Sequence, residues 1–272
     1  MRKNFKGIFS LLAIILLMLT GCNTSGAKTS DSNASTDKTD EVVLYVTRHG
    51  KTMFNTVHRA QGWSDTPLTD DGVKVAEQLG KGLKEKKITF KSAYSSDAGR
   101  ARETARLALR NNGQSDLQVK ESKNLREVCF GSYEGEHDEV MWGDAGKELG
   151  YNSYEDFMKA ISSGEATVPE MLSALKKIDK SGMSEEWDGV RQRMQKELTE
   201  IAEETAEDGG GNVLVVAHGM SILSMISDMT EETPEGGQLA NASVTKIVYK
   251  DGKFKVKEVG NTAYAEAGTN EK

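Results

Sequence analysis

Apolar and polar positions alternate along this chain in two rhythms, and each change of rhythm marks an element. Glu41 to Thr47 is a β-branched, apolar run that ends in polar residues, which predicts a buried strand. Between Thr69 and Lys86, Val73, Ala76, Leu79 and Leu83 recur at helical spacing among lysines and glutamates, so one face of a helix is buried there. Ser92 to Ser95 predicts a short strand, followed over 97–111 by an Ala/Arg/Leu-rich helix that Asn112-Gly113 stops. Trp187, Val190, Met194, Leu198 and Ile201 trace a long amphipathic helix closed by Gly209-Gly210-Gly211. Asn212 to Ala217 is the clearest buried strand, and His218-Gly219 opens another helix. Val244–Tyr249 and Phe254–Val259 pair as a hairpin around Asp251-Gly252.

Strands that alternate with helices predict an α/β fold: a three-layer α/β/α sandwich with a mostly parallel central sheet and an antiparallel edge made by the closing hairpin. The stretch 133–182 breaks the rhythm. It is polar and Gly-punctuated, with short helices expected near Tyr154–Ile161 and Pro169–Ile178, and reads as a helical insertion over the sheet and the active site. One domain is therefore expected over 41–264, with a short frayed tail over 265–272.

The N-terminus differs. Arg2, Lys3 and Lys6 precede an apolar run from Ile8 to Leu19. A dozen helical residues reach only about 18 Å, short of the roughly 30 Å hydrocarbon core of a bilayer, which favours a signal peptide over a spanning helix. Residues 22–40 are Ser, Thr, Asn, Asp and Lys with little else, and predict a disordered tether. Leu19-Thr20-Gly21-Cys22 resembles the lipobox of bacterial lipoproteins. That resemblance implies a signal peptide over 1–21, lipid attachment at Cys22, and a place on the extracytoplasmic face of the cell membrane. An ordinary signal peptide or an uncleaved anchor is the plainer alternative.

Composition narrows the partners. The 272 residues are 37% hydrophobic and 28% charged, with a net charge of −7 that deepens to about −10 without the three basic leader residues. An acidic chain with no basic tract is a poor nucleic-acid binder, so any anion site must gather its positive charge locally. With Cys22 blocked, Cys129 is a lone thiol and is expected to pack as a small hydrophobe.

That local charge sits at strand ends. Val46-Thr47-Arg48-His49-Gly50, Tyr94-Ser95-Ser96-Asp97 with Arg100, and Val216-Ala217-His218-Gly219 each run from a strand into a loop or helix start. In open α/β sheets ligands collect at the carboxyl ends of the strands, which would bring Arg48, His49, Arg100 and His218 to one crevice. Two of these segments open helices, whose N–H groups attract anions. Arginines beside histidines suit a phosphate rather than a metal, since arginine is not deprotonated. His137 lies among Glu134, Glu136, Asp138 and Glu139, but a solvated acidic loop is expected there rather than a cation site.

Arg48-His49-Gly50 resembles the signature of the histidine phosphatase superfamily, the phosphoglycerate mutase-like fold. Further blocks appear in the family's order: Asn55, the run Arg59 to Thr69 with Gly72, Arg100-Ala101-Arg102-Glu103-Thr104-Ala105, Leu125-Arg126-Glu127 with Tyr133-Glu134-Gly135, and Val216-Ala217-His218-Gly219. The resemblance implies that His49 takes up the phosphoryl group. It implies that Arg48, Arg100 and His218 hold its oxygens, with Glu127 as general acid and base. Asn55, Gln61 and Gly62 would complete the phosphate and substrate contacts. No metal or organic cofactor is implied, and the partner is a small phosphorylated substrate. Lys51 departs from the family, where many members carry Glu or Gln, and is expected to face solvent. A mutase needs extra positive charge after the acid, yet 128–150 holds only Lys147, so phosphomonoester hydrolysis is expected. A mutase-type phosphotransferase and a non-catalytic phospholigand-binding lipoprotein are the competing readings.

Overall fold

The computed structural model describes residues 40–234 and 237–269. The expected leader, Cys22 and the tether up to residue 39 lie outside the described residues.

A six-stranded sheet carries the structure. Its strands are β1 (Val42–Arg48), β2 (Ser92–Ser96), β3 (Val119–Ser122), β4 (Gly211–Ala217), β5 (Val244–Lys250) and β6 (Lys253–Asn261), in the order β3-β2-β4-β1-β5-β6. The first four in that order run parallel, while β5 and β6 are antiparallel and form the expected edge. Asp251 and Gly252 both take positive φ in the turn between them, at 52° and 72°, as a two-residue hairpin requires.

The two-residue period of the central strands divides the core between the two faces of the sheet. Val42, Leu44, Val46, Val213 and Val215 join one apolar cluster, and Tyr45, Leu214 and Val216 join the other. The second cluster is covered by α2 (Asp70–Glu85), α3 (Gly99–Asn112) and α9 (Ala263–Ala267) through Leu79, Leu83, Ala101, Ala105 and Tyr264. The first is covered by α7 (Trp187–Glu207) and α8 (Gly219–Ile226) through Met194, Leu198 and Ile222. Three layers result.

The 133–182 stretch contains α4 (Asp138–Glu148), α5 (Tyr154–Ser163) and α6 (Val168–Ile178). Met141, Phe157 and Leu172 from these helices are buried in the first cluster, so the insertion extends that helical layer. α4 was hidden in the sequence because its buried face is mostly small residues, Gly143, Ala145 and Gly146 beside Met141, although Asp138 and Glu139 in its first turn suit a helix N-terminus. β3 was hidden too, because its residues are largely exposed and polar. The expected frayed tail needs correction at its start. Ala265 lies in α9 and is buried beside Tyr264, whose ring meets Tyr45 edge-on at 6.0 Å and whose hydroxyl is 3.2 Å from Glu258.

Candidate active site

Sheet register creates the site. β1 and β4 are parallel neighbours with Arg48 opposite Ala217, so the next residue of each strand, His49 and His218, emerge side by side. The His49 N–H donates to the Ala217 carbonyl at 3.1 Å, and the two imidazole centroids lie 5.2 Å apart. Only glycine fits at position 50, because a Cβ there would stand 2.5 Å from the Gly72 carbonyl oxygen at the start of α2. The same turn is tied to α3, where the Thr104 hydroxyl accepts the Gly50 N–H at 3.0 Å and donates to Arg100 O.

His49 has a defined tautomer. Its Nδ1 lies 2.7 Å from the Gly50 carbonyl oxygen, which can only accept, so Nδ1 carries the proton and Nε2 keeps its lone pair. Burial, then the charges of Arg100 and Arg48, hold its pKa well below the ordinary imidazole value. His218 is lowered likewise by burial, then Arg100 and His49. Both rings are therefore neutral at neutral pH.

Arg100 is buried to 1% exposure, and most of its guanidinium is engaged by the loop before it. Nη1 donates to Ser64 O at 2.8 Å and Asp65 Oδ1 at 2.9 Å, and Nη2 to Gly62 O at 2.8 Å. Arg48 donates to the Leu239 carbonyl. The Nε of each arginine and both ring nitrogens of His218 are buried with no hydrogen-bond partner among the described residues. A buried donor left unpaired costs about 1–3 kcal/mol, and a tetrahedral oxyanion would supply acceptors to all three side chains.

Glu127 is also buried, and its carboxylate caps α8 from outside the helix. Oε2 accepts the Met220 N–H at 3.0 Å, and Oε1 accepts those of Ser221 at 2.7 Å and Val128 at 2.9 Å. At α3 the Asp65 carboxylate accepts the Gly99 N–H at 2.6 Å. The helix-terminal amides expected to draw an anion are thus already occupied by two carboxylates of the chain, and positive charge for a ligand comes from side chains instead.

Glu127, Gly62 and His218 line a cleft of about 250 Å³ with Trp63, Asp97 and Arg126. Trp63 is half-exposed; its indole N–H donates to Glu127 O at 3.0 Å, and Arg126 stacks 4.7 Å over its ring. Arg126 makes a two-pronged bond to Asp97 at 2.7 and 2.6 Å, and this holds the Asp97 pKa below the usual carboxylate range. The insertion reaches the site through Glu134, whose carboxylate accepts the N–H groups of Gly62, Trp63, Ser64 and Phe130 at 2.7–3.1 Å. A Cβ on Gly62 would come 2.1 Å from the Val128 carbonyl oxygen, which explains the glycine.

Of the expected site residues, Arg48, His49, Arg100, Asn55 and Gln61 lie outside that lining, and His49 and Arg100 are buried. Gln61 uses both ends of its amide inside the fold, accepting from Thr52 Oγ1 at 2.6 Å and donating to Thr66 Oγ1 at 2.8 Å. The Asn55 carbonyl oxygen accepts the Thr52 N–H in a capping box, which leaves only its amide N–H groups free of the fold. The His137 Nε2 sits 3.0 Å from Arg59 Nη2, and of its acidic sequence neighbours Glu134 is spent on backbone amides. Cys129 is buried, and burial raises its pKa, as a packed thiol requires.

The loop that closes the site from the far side was not foreseen from the sequence. Asn241 donates to the His49 carbonyl at 3.0 Å, Ala242 N–H to Arg48 O at 3.0 Å, and Arg48 N–H to Ser243 O at 3.2 Å. The only sequence signal was its position just ahead of the β5 hairpin.

The family is decided by comparison with known proteins. The model of the histidine phosphatase superfamily (branch 1) matches residues 44–262. The chain belongs to this superfamily. Among solved structures, a phosphoglycerate mutase from Bacillus anthracis is 45% identical and superimposes with a TM-score of 0.77, covering 86% of this chain and 99% of that one. A 2,3-bisphosphoglycerate-dependent phosphoglycerate mutase from Parvibaculum lavamentivorans is 27% identical over 76% of this chain and 90% of its own length. A broad-specificity phosphatase from Saccharomyces cerevisiae is 29% identical over 84% and 89% respectively. Mutases and phosphatases thus both stand among the relatives.

Proposed function

We propose that this protein is a phosphatase that hydrolyses phosphomonoesters through a phosphohistidine on His49. The observation that carries the proposal is the His49 imidazole: neutral, buried beside two arginines, and fixed with its proton on Nδ1. Nε2 attacks phosphorus as the bond to the leaving oxygen breaks. Arg48, Arg100 and His218 donate to the three remaining oxygens, over which the transition-state charge spreads. Glu127 gives a proton to the leaving alkoxide. It then accepts one from the water that cleaves the phosphohistidine, which restores His49.

Hydrolysis is favoured over a mutase by charge. Lys147, the sole lysine or arginine in 128–150, is exposed and engaged by Asp144 at 3.1 Å. The mutase reading draws its support from the names of the relatives. The leader and Cys22 support anchoring to the extracytoplasmic membrane face, and C22A would then move the protein to the soluble fraction.

The test is turnover of p-nitrophenyl phosphate and of 3-phosphoglycerate with a chelator present, by wild type and H49A. Phosphate release that survives chelation and is absent in H49A supports the reading. Interconversion of phosphoglycerates faster than phosphate release would favour the mutase, and no turnover of either would sink both.

A further inference from the structure

Glu127 sits on an irregular stretch between two short 3-10 turns, Lys123–Leu125 and Gly131–Tyr133, where no sheet ladder fixes its backbone. One side chain of α7 takes over that task. Arg193 Nη1 donates to Asn124 O at 2.9 Å and Arg126 O at 2.6 Å, and Nη2 donates to Glu127 O at 2.8 Å. Its Nε and Nη2 each reach the Glu185 carboxylate at 2.8 Å. These bonds use all five N–H groups of a guanidinium. Glu185 works on the other side of Glu127, accepting the Cys129 N–H at 2.9 Å and donating its own N–H to Cys129 O at 3.0 Å. Neither residue lines the cleft, and both are mostly buried, with side chains 16% and 22% exposed.

We propose that Arg193 and Glu185 are positioning residues for the general acid: together they fix the backbone on both sides of Glu127 so that its carboxyl meets the leaving oxygen. This rests on the proposed role of Glu127 as the acid. Three of the five bonds end on main-chain carbonyls spread over four residues, a span that a planar fork can cover and a lysine ammonium cannot. A displaced acid harms one step selectively. Breaking the phosphorus–oxygen bond to a poor leaving group requires the proton, whereas nitrophenolate departs without it.

The experiment measures kcat/KM of the full-length protein for aryl phosphates running from nitrophenyl to methoxyphenyl. Wild type, R193A, R193K, E185Q and E127Q are compared, with the fold checked by circular dichroism. R193A and R193K are expected to lose at least about tenfold more activity on methoxyphenyl than on nitrophenyl phosphate, with E185Q showing the same trend and E127Q a larger one. Equal losses across the series, or no loss, in R193K and E185Q would overturn the proposal, and these two variants decide it if R193A does not fold. An E127Q enzyme with the leaving-group signature beside Arg193 variants without it would reject positioning alone. An E127Q enzyme without it would reject the acid assignment, and positioning with it.

Discussion

The proposed nucleophile and the proposed acid of this site are held by different means. His49 comes directly after β1, and its position is set by main-chain bonds to Ala217, by Asn241, and by the neighbouring β4 strand. Glu127 lies where the sheet gives no support: the side chains of Arg193, Glu185 and Trp63 hold its backbone, and main-chain amides of α8 hold its carboxylate. A ladder of backbone bonds tolerates sequence change, because every residue supplies the same donor and acceptor. A network of charged side chains depends on each member, and loss of one leaves its buried partners unpaired. The supports of the acid's half should therefore be the more sensitive to single substitutions, while in the nucleophile's half function should depend chiefly on the groups that meet the phosphoryl group, His49, Arg48, Arg100 and His218.

This contrast is tested most directly by H49A. Removing the attacking nitrogen should lower kcat/KM for p-nitrophenyl phosphate by at least about 10⁴-fold, roughly 5 kcal/mol of barrier. Its thermal midpoint should stay close to wild type, because the bond from residue 49 to Ala217 is main-chain. A large loss of stability would show that the imidazole is itself part of the support.

The next effect is structural. In G50A the new methyl must displace the Gly72 carbonyl from 2.5 Å, which should cost about 1–3 kcal/mol and lower the urea midpoint with an unchanged slope. A neutral outcome would mean that α2 shifts freely against the end of β1.

Acid probes the nucleophile's half in another way. His49 and His218 have folded-state pKa values below that of unfolded imidazole, so the unfolded chain binds protons that the native state refuses. Stability must then fall as pH drops below about 6.5, by up to about 1.4 kcal/mol for each histidine by pH 5.5. Denaturant titrations at pH 7.5 and 5.5 should show this loss, and H218Q should recover about half of it. The acid limb of kcat/KM should likewise lie below the ordinary imidazole value. A limb at or above that value would contradict a neutral, buried nucleophile.

The smallest effect is expected at the rim. The Asp97 and Arg126 side chains are 22% and 27% exposed, so D97N should change stability by no more than about 1 kcal/mol despite the two-pronged geometry. A larger change in thermal midpoint would place this pair in the acid's support rather than at its edge.

Local sequence was enough to specify the architecture and the chemistry-bearing strand ends. Continuous apolar runs such as Val213 to Ala217, and helical spacing such as Val190, Met194 and Leu198, report burial directly, since each apolar side chain must find a core. Arg48, His49, Arg100 and His218 were legible because their motifs sit next to those runs, whereas Glu127 was marked only by the family resemblance. Exposed β3 and acidic α4 left no apolar rhythm to read. How the polar side chains are spent was settled only in the folded chain. Gln61 turned inward to Thr52 and Thr66, Glu127 and Asp65 took up helix-terminal amides, Asn241 gripped the nucleophile's carbonyl, and Arg193 bound the acid's loop. Hydrophobic placement is a consequence of local spacing, whereas a hydrogen bond between residues 66 or 192 positions apart exists only once the chain has closed on itself.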